Sequence, residues 1–452
     1  MMKERFLYRS YFLFYAVGFW LKRHITPAGV MMTAVFLMTA LFGLNIFKTT
    51  LYQVMAVSFS VLSVSAGLSL IPFRLRVRVR HILPEYATVG KKVTYSIDIT
   101  NTGRKPEKGI ILFEDLADPR PDLKTLLEKK EPYEHIRNAW DRKILYYRWV
   151  WLILKAGKAS FRPILLPDLP PGETIRVTSA FVPNYRGYIH FTGVTLARPD
   201  ILGLFMRLFC IKKTKKLLVL PKRYALDPPD LQSTRQYHPG GVNLASSVGN
   251  SDEFMSLRYY RPGDPMRFIH WRTFARTGEL VIKEFEDEFF VRHALILDTF
   301  VPPEREAVFE EAVSIAASYV ALSRPQDSIL DLMFANHGIY SFSSGRGLGG
   351  SEKMLEILSC VEPCRDKTIL ELKAVLERGL KKISGAVCIF SSWEKEQEEI
   401  CRIIHEALVP CFIIVLAEDA SKKKDLAEKT RDVCQTIRVV QTGKVLEELS
   451  GI

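Results

Sequence analysis

The densest chemistry in this chain lies between residues 253 and 285, where carboxylates, arginines and aromatic rings crowd a short stretch. Glu253 and Asp264 stand among Arg258, Arg267, Arg272 and Arg276, with Tyr260 and Trp271 between them. Arginine's planar fork binds a carboxylate or phosphate through two parallel hydrogen bonds. The set therefore has two readings. Ion pairs would fasten the segment to the fold, with Trp271 buried as the filler. Alternatively, the arginines form a docking surface for an acidic partner or a phosphate. Catalysis is the weaker idea: nothing in the spacing makes the two carboxylates converge, and no nucleophile motif accompanies them. His270 sits among arginines and reads as structural.

Locally the stretch reads as strand, turn, helix, strand. Pro262-Gly263 suits the middle of a type II turn, where glycine supplies a positive φ. Asp264 is placed to cap a helix, Pro265 suits its first position, and Gly278 suits its left-handed end. The spacing predicts a helix over 265–277.

The elements that must position this segment begin with a membrane signal. No Asp, Glu, Lys or Arg falls between Arg23 and Lys48, or between Lys48 and Arg74. At about 1.5 Å per helical residue, each run is long enough to cross a hydrocarbon layer of roughly 30 Å. This predicts a hairpin over 25–73, with spans at about 25–47 and 50–72. Basic residues flank it: Lys3, Arg5, Arg9, Lys22 and Arg23 before, Arg74, Arg76, Arg78 and Arg80 after. The positive-inside rule puts both chain ends in the cytoplasm, giving a multi-pass cell-membrane protein. Residues 1–24 form a cytoplasmic segment whose aromatic stretch 10–21 is too short to cross and is expected at the interface. No small-residue cleavage pattern follows it, so it is not read as a signal peptide.

The same distribution answers the net charge of +13. Residues 1–80 carry ten Lys or Arg and one acid, Glu4, so most of the excess borders the apolar runs. Anionic lipid accounts for it. No basic stripe interleaved with aromatics appears elsewhere, which argues against nucleic acid. The seven cysteines are odd in number, make no C-x-x-C pair and lie partly in apolar runs. They read as buried thiols in a reducing compartment. Cys360 and Cys364 could share a helix face but are too few to hold a metal.

Residues 74–222 read as an all-β, sandwich-like domain of short alternating strands with Pro and Gly turns. Within it, residues 144–154 are apolar and aromatic; a buried strand is the first reading and a second membrane contact the other. Residues 223–288 hold a Pro-, Gly- and Ser-rich linker and the arginine-rich segment. Residues 289–452 alternate strand and helix patterns, which predicts a parallel sheet covered on both faces. The glycine-rich stretch 343–350 lacks the spacing of a nucleotide-binding loop and reads as a connection.

The arginine-rich segment resembles the signature of the prokaryotic family called domain of unknown function 58. That pattern runs approximately E-F-x-x-L-R-x-Y-x-x-G-D-x-x-R-x-I-x-W-x-x-x-A-R-x-G-x-L-x-V. Glu253, Phe254, Leu257, Arg258, Tyr260, Gly263, Asp264, Arg267, Ile269, Trp271, Ala275, Arg276, Gly278 and Leu280 fall on it, and Ile282 replaces the last valine. The run from Asp200 to Phe205 is similar to the family's D-P-F-G-L-F, with Ile201-Leu202 in place of proline-phenylalanine. The resemblance implies a C-terminal domain of von Willebrand A type and a MoxR-type AAA+ ATPase as partner. Such domains often bind magnesium through D-x-S-x-S. Here Asp298 survives, but Phe300 and Pro302 replace the serines and offer a hard cation no oxygen. The expectation is a degenerate site with no metal and no cofactor.

The resulting reading is a membrane-anchored, cytosol-facing scaffold with lipid and a MoxR-type ATPase as partners. The alternative is an envelope-associated, hydrolase-like enzyme using residues 253–284.

Overall fold

The structure, a computed structural model, describes residues 2–42, 49–71, 73–132, 134, 136–227, 254–285, 291–322, 328–335, 339–344, 350–364, 368–430 and 437–449. It is a chain of helices and several β-sheets, divided into two compact units, Met1–Lys222 and Arg223–Ile452.

The first unit opens with three helices: α1 (Met2–His24), α2 (Pro27–Phe42) and α3 (Thr49–Ser69). α1 is one continuous helix, so the aromatic stretch 10–21 is its middle. α2 and α3 pack together, with the Phe36 and Phe59 rings 5.7 Å apart. Among the described residues only α3, over Thr50–Ser69, is long and apolar enough to cross a membrane; α2 is a shorter apolar helix. The expected turn at Lys48 lies outside the described residues.

Strands β1 (Val77–Ile82), β2 (Tyr86–Thr88), β3 (Val93–Asn101) and β4 (Ile111–Leu116) follow. Next come helices α4 (Leu123–Glu128), α5 (Ala139–Ile144) and α6 (Tyr146–Gly157), then β5 (Ile164–Leu165), β6 (Thr174–Phe181), β7 (Gly187–Pro199) and β8 (Met206–Leu220). One sheet has the order β1-β3-β6 and the other β2-β8-β7-β4-β5. Inward residues of both, including Ile97, Ile99, Leu112, Phe191 and Leu196, share one core. β3 shows why: alternate residues from Val93 to Asn101 are buried, the period-2 pattern of a strand with one face inward. Glu114 is buried in this core and is matched by the His81 Nε2 at 3.1 Å and the Tyr95 hydroxyl at 2.8 Å.

Two expectations fail here. The unit is not all-β, and residues 144–154 form a helix rather than a buried strand. Helical spacing places Trp149 and Leu152 together on the buried face, beside Leu126 and the Tyr8, Tyr11 and Tyr15 rings of α1. Arg148, also buried, donates to the Glu134 carboxylate and, at 3.0 Å, to the Leu126 carbonyl. Asp122 and Asn138 accept from the Thr125 and Asp141 amides and so start α4 and α5.

The 200–205 turn fixes the helix pair to the strands. One oxygen of the Asp200 carboxylate accepts from the Leu204 and Phe205 amides at 2.9 and 3.2 Å, and the other from the Ser65 hydroxyl of α3. Thr26, just before α2, donates its hydroxyl to Gly203 and its amide to Leu204. Gly29 lies so close to the Leu204 carbonyl that a Cβ there would collide with it.

The second unit carries β9 (Phe254–Tyr259), α7 (Trp271–Thr277) and β10 (Val281–Phe285), described below. Its main body follows: β11 (Val291–Leu297), α8 (Glu306–Leu322), β12 (Ser328–Ala335), β13 (Ile339–Ser344), α9 (Ser351–Cys360) and α10 (Lys373–Gly379). It closes with β14 (Gly385–Phe390), α11 (Lys395–Glu406), β15 (Cys411–Ala417), α12 (Ala420–Thr430), β16 (Ile437–Gln441) and α13 (Val445–Leu449). The sheet order is β13-β12-β11-β14-β15-β16, parallel except for β13. Every residue of β14 is buried, as expected for a central strand covered on both sides. Ala294 and Ile296 join a core with Leu376, Ile400 and Ile404. α8 is buried against β11, β14 and β15.

The thiols depart from expectation: Cys388 and Cys401 are buried, but Cys210 and Cys360 are exposed. Cys364 lies beyond the end of α9, bridged to Phe300, so it shares no helix face with Cys360. Most of the 223–253 linker, Cys434 and residues 345–349 of the glycine-rich stretch fall outside the described residues.

Gly29→Ala should cost about 1–3 kcal/mol, because neither backbone at that contact can give way cheaply. Gly18→Ala in α1, where a Cβ meets nothing, should be neutral or stabilising by up to about 1 kcal/mol. Thermal unfolding of the detergent-solubilised full chain, read for each variant against wild type, checks both.

Candidate functional site

β9 and β10 form a two-stranded antiparallel sheet, joined by a connection that contains α7. Asp264 is the connection's fixed point. Its carboxylate takes both arms of the Arg258 fork, at 2.7 and 2.8 Å, and the Arg261 amide at 2.8 Å. The Arg258 bond holds the Asp264 pKa well below its ordinary value, to about 2. The pair's stabilisation is therefore fully present above the ordinary carboxylate range and is lost as pH falls toward about 2. Gly263 has φ 104°, as the predicted turn requires, and the Asp264 amide closes that turn on the Arg261 carbonyl at 3.0 Å.

The predicted helix over 265–277 is broken, and Asp264 does not cap it. A 3-10 turn covers Met266–Phe268, and α7 begins only at Trp271. The cause is Ile269, which is buried in a bridge with Ile282 of β10, while the His270 amide bonds the Val281 carbonyl at 2.8 Å. Burying that isoleucine in extended form outweighs local helix preference. Gly278 ends α7 in the left-handed conformation, φ 74°, as its position suggested.

This break turns the segment outward. Trp271 is 57% exposed, contrary to the buried filler expected of it. Its ring meets Phe274 edge-on at 6.1 Å, and Tyr259 and Met266 are exposed on the same small subdomain. The expected ion-pair knot reduces to Arg258–Asp264. Among the described residues Arg261, Arg267, Arg272 and Arg276 make no ion pair; Arg267 stacks on Phe268 at 4.6 Å. Tyr260 is half-buried, and its amide donates to the Leu280 carbonyl at 2.9 Å. Glu253 lies outside the described residues. The arrangement is a cationic, aromatic surface with its one described buttress of charge already paired. Sequence spacing located these residues; it missed the outward face of Trp271, because the Ile269–Ile282 bridge is not local.

Asp298 follows β11 where the sheet order reverses between β11 and β14, the place where open parallel sheets bind ligands. It is fully buried. One carboxylate oxygen accepts from the Phe300 amide at 3.0 Å, the other from the Ser391 hydroxyl and Gln397 Nε2, both at 3.3 Å. Burial pushes its pKa up to about 6. Gln397 also reaches back to the Glu394 amide in a capping box that starts α11. These donors do not fit a magnesium set, since Phe300 and Pro302 bring no oxygen side chain. Among the described residues no three His, Cys, Asp or Glu side chains cluster as a metal site needs. A groove of about 540 Å³ follows α11, lined by Glu398, Glu399, Arg402 and His405, but Glu399 is paired with Lys373 at 2.8 Å.

Residues 256–403 match the model of the family described as "Protein of unknown function DUF58". The "Uncharacterized protein YeaD" of Bacillus subtilis is 30% identical over 169 residues, covering 36% of this chain and 40% of that protein. The chain therefore spans well under two thirds of that curated relative. Among solved structures, the CARDB domain of PF1109 from Pyrococcus furiosus is 10% identical, with 33% of this chain and 97% of that chain covered, at a TM-score of 0.16. A PapD-like domain of human CEP192 is 9% identical, covering 32% and 87%, at 0.18. Scores this low carry no argument about fold or activity.

Two variants separate the surface from the core. Trp271→Ala should change stability by no more than about 1 kcal/mol, as an exposed ring does. Asp298→Asn should alter pH dependence instead. A buried acid with a raised pKa stabilises fully below its ordinary range, and that contribution is lost as pH rises toward about 6. The asparagine should remove that loss, worth up to about 3 kcal/mol, and flatten the profile between about pH 4 and 6. Hydrogen exchange of the β11 and β14 amides in the full chain, across that range, reads it.

Proposed function

We propose that this chain is a membrane-anchored, cytosol-facing interaction protein that presents the β9–α7–β10 segment to an acidic partner. The observation that carries the proposal is Trp271, exposed beside Arg272 and Arg276, which have no acid among the described residues. Trp and Arg are the residue types that dominate binding hot spots. The partner implied by the family resemblance is a MoxR-type AAA+ ATPase, and an acidic segment of such a protein is the occupant we assign.

Membrane anchoring by the α2–α3 hairpin, with both chain ends cytoplasmic, is supported by three features. Both helices lack charged side chains and are apolar on exposed faces such as Met31, Leu41, Val57 and Phe59. Four of their hydroxyls turn back to their own helix: Thr33, Thr39, Ser58 and Ser60 donate to carbonyls four residues earlier at 2.7–2.8 Å. A solvent without hydrogen bonds demands that satisfaction. Basic residues border both ends of the pair.

The strand order β13-β12-β11-β14-β15-β16 with one antiparallel edge supports a von Willebrand A-like C-terminal domain, and Asp298 supports its degenerate metal site. Scaffolding is favoured over hydrolysis because Asp264 is spent on Arg258 and Asp298 is buried beneath its own donors, so neither is presented to a substrate.

Binding of the full chain in detergent to a MoxR-type ATPase from the same organism tests this. Trp271→Ala and Arg272→Ala with Arg276→Ala should each weaken binding about tenfold or more without unfolding the chain. Wild-type binding should fall as salt rises. Unchanged binding in both variants sinks the proposal. A cytoplasm-active reporter fused after Ile452 should work; silence there would reverse the orientation.

A further inference from the structure

α1 is apolar on two opposite faces, and only one of them is used. Tyr8, Tyr11 and Tyr15 pack on α6: Tyr8 and Tyr11 lie 5.8 and 6.0 Å from the Trp149 ring, and the Tyr11 hydroxyl donates to the Ile144 carbonyl at 2.9 Å. Arg120 sits 3.7 Å over the Phe12 ring. At the far end Arg23 pairs with Asp115 at 2.5 Å and donates to the Glu114 carbonyl at 3.2 Å. The helix is therefore held to its own unit from Tyr8 to Arg23, by α6 at the tyrosines and by β4 at Arg23.

The other face is a stripe of large apolar residues at helical spacing: Phe6, Leu13, Phe14, Val17, Trp20 and Leu21, with Phe14 74% exposed. Exposed Lys3, Arg5, Arg9 and Lys22 flank it. Only Ile25 and Thr26 separate α1 from α2, whose exposed face is also apolar. A stripe of this size is not left to water.

We infer that α1 lies in the plane of an anionic membrane surface, its Phe6–Leu21 stripe in the headgroup and acyl boundary, and that α6 holds it from the protein side. This rests on the α2–α3 anchoring proposed above and adds to it a second lipid contact that fixes how the first unit sits on the bilayer. The apolar stripe supplies burial, and the flanking lysine and arginines supply attraction to anionic headgroups. α6 itself does not need to touch lipid, because its Trp149–Leu152 face is already covered by α1.

The test places a photoreactive benzophenone side chain at Phe14, Tyr8 or Phe59 of the full chain, in vesicles of phosphatidylcholine and phosphatidylglycerol. Adducts are identified by mass spectrometry. Phe14 should give lipid adducts in yield similar to Phe59 on α3, whereas Tyr8 should crosslink to α6. Replacing Lys3, Arg5 and Arg9 with Gln should lower the phosphatidylglycerol share at Phe14 about twofold or more and leave Phe59 unchanged. Lipid adducts at Phe59 with none at Phe14, or with Phe14 joined to a second copy, overturn the inference and leave the anchor standing. Lipid adducts at Tyr8 overturn the clamp to α6. No lipid at either Phe14 or Phe59 brings down the anchoring proposal and this inference with it.

Discussion

The first unit depends on one buried carboxylate. Asp200 is 6% exposed and closes its own turn through the Leu204 and Phe205 amides while taking the Ser65 hydroxyl from α3. A carboxylate that deep needs such donors, because an unpaired buried charge is costly. Satisfying it forces three separate parts of the chain together: the start of α2, the end of α3 and the strand pair β7–β8. Gly29 and Thr26 follow from that demand. The turn can approach α2 only where there is no Cβ, and its carbonyls need a donor from the helix start. This turn thus bonds both apolar helices to the strand-rich body.

The second unit shows the same competition resolved the other way. Local chemistry over 265–277 favours a helix, and Asp264 is a good cap by type. Arg258 and Arg261 take the carboxylate first, and Ile269 is drawn into β10. Arginine offers the carboxylate two charge-assisted bonds and the cap only one neutral donor, so the fork wins. What remains helical is short, and Trp271 starts it on the outside. The outward face of Trp271 is thus a by-product of where the acid and Ile269 are drawn.

Those two cases mark what was legible. Apolar runs without charge, period-2 alternation in β3 and the glycines at 263 and 278 are local signals, and each appears where its chemistry places it. The helix at 146–157 was misread because its apolar content fits either period. Arg148 was the residue that could decide: a long cation within such a run suits a helix that can aim it sideways at Glu134. Trp271 was misread because its exposure depends on a bridge thirteen residues away, from Ile269 to Ile282. For Asp298 the family resemblance suggests a metal-site remnant; the sequence holds no sign of the Gln397 amide that bonds it from α11, nearly a hundred residues later.

The exposed apolar residues of α1, of the α2–α3 pair and of α7 are told apart by their neighbours. On α2 and α3 they come without any charge, and several hydroxyls among them donate to their own helix, the pattern on which the proposed membrane anchor rests. On α1 they form a single stripe with basic flanks, a pattern that suits a boundary between apolar and charged phases. On α7 the aromatic rings are one edge-on pair, Trp271 and Phe274, among arginines, too few to insert and too cationic to be buried in hydrocarbon. A ring beside a guanidinium gains most against a protein surface that brings both an apolar pocket and a carboxylate. The two surfaces proposed for lipid lie in the first unit and the one proposed for a protein partner lies in the second, so the proposal assigns anchoring and recognition to different units.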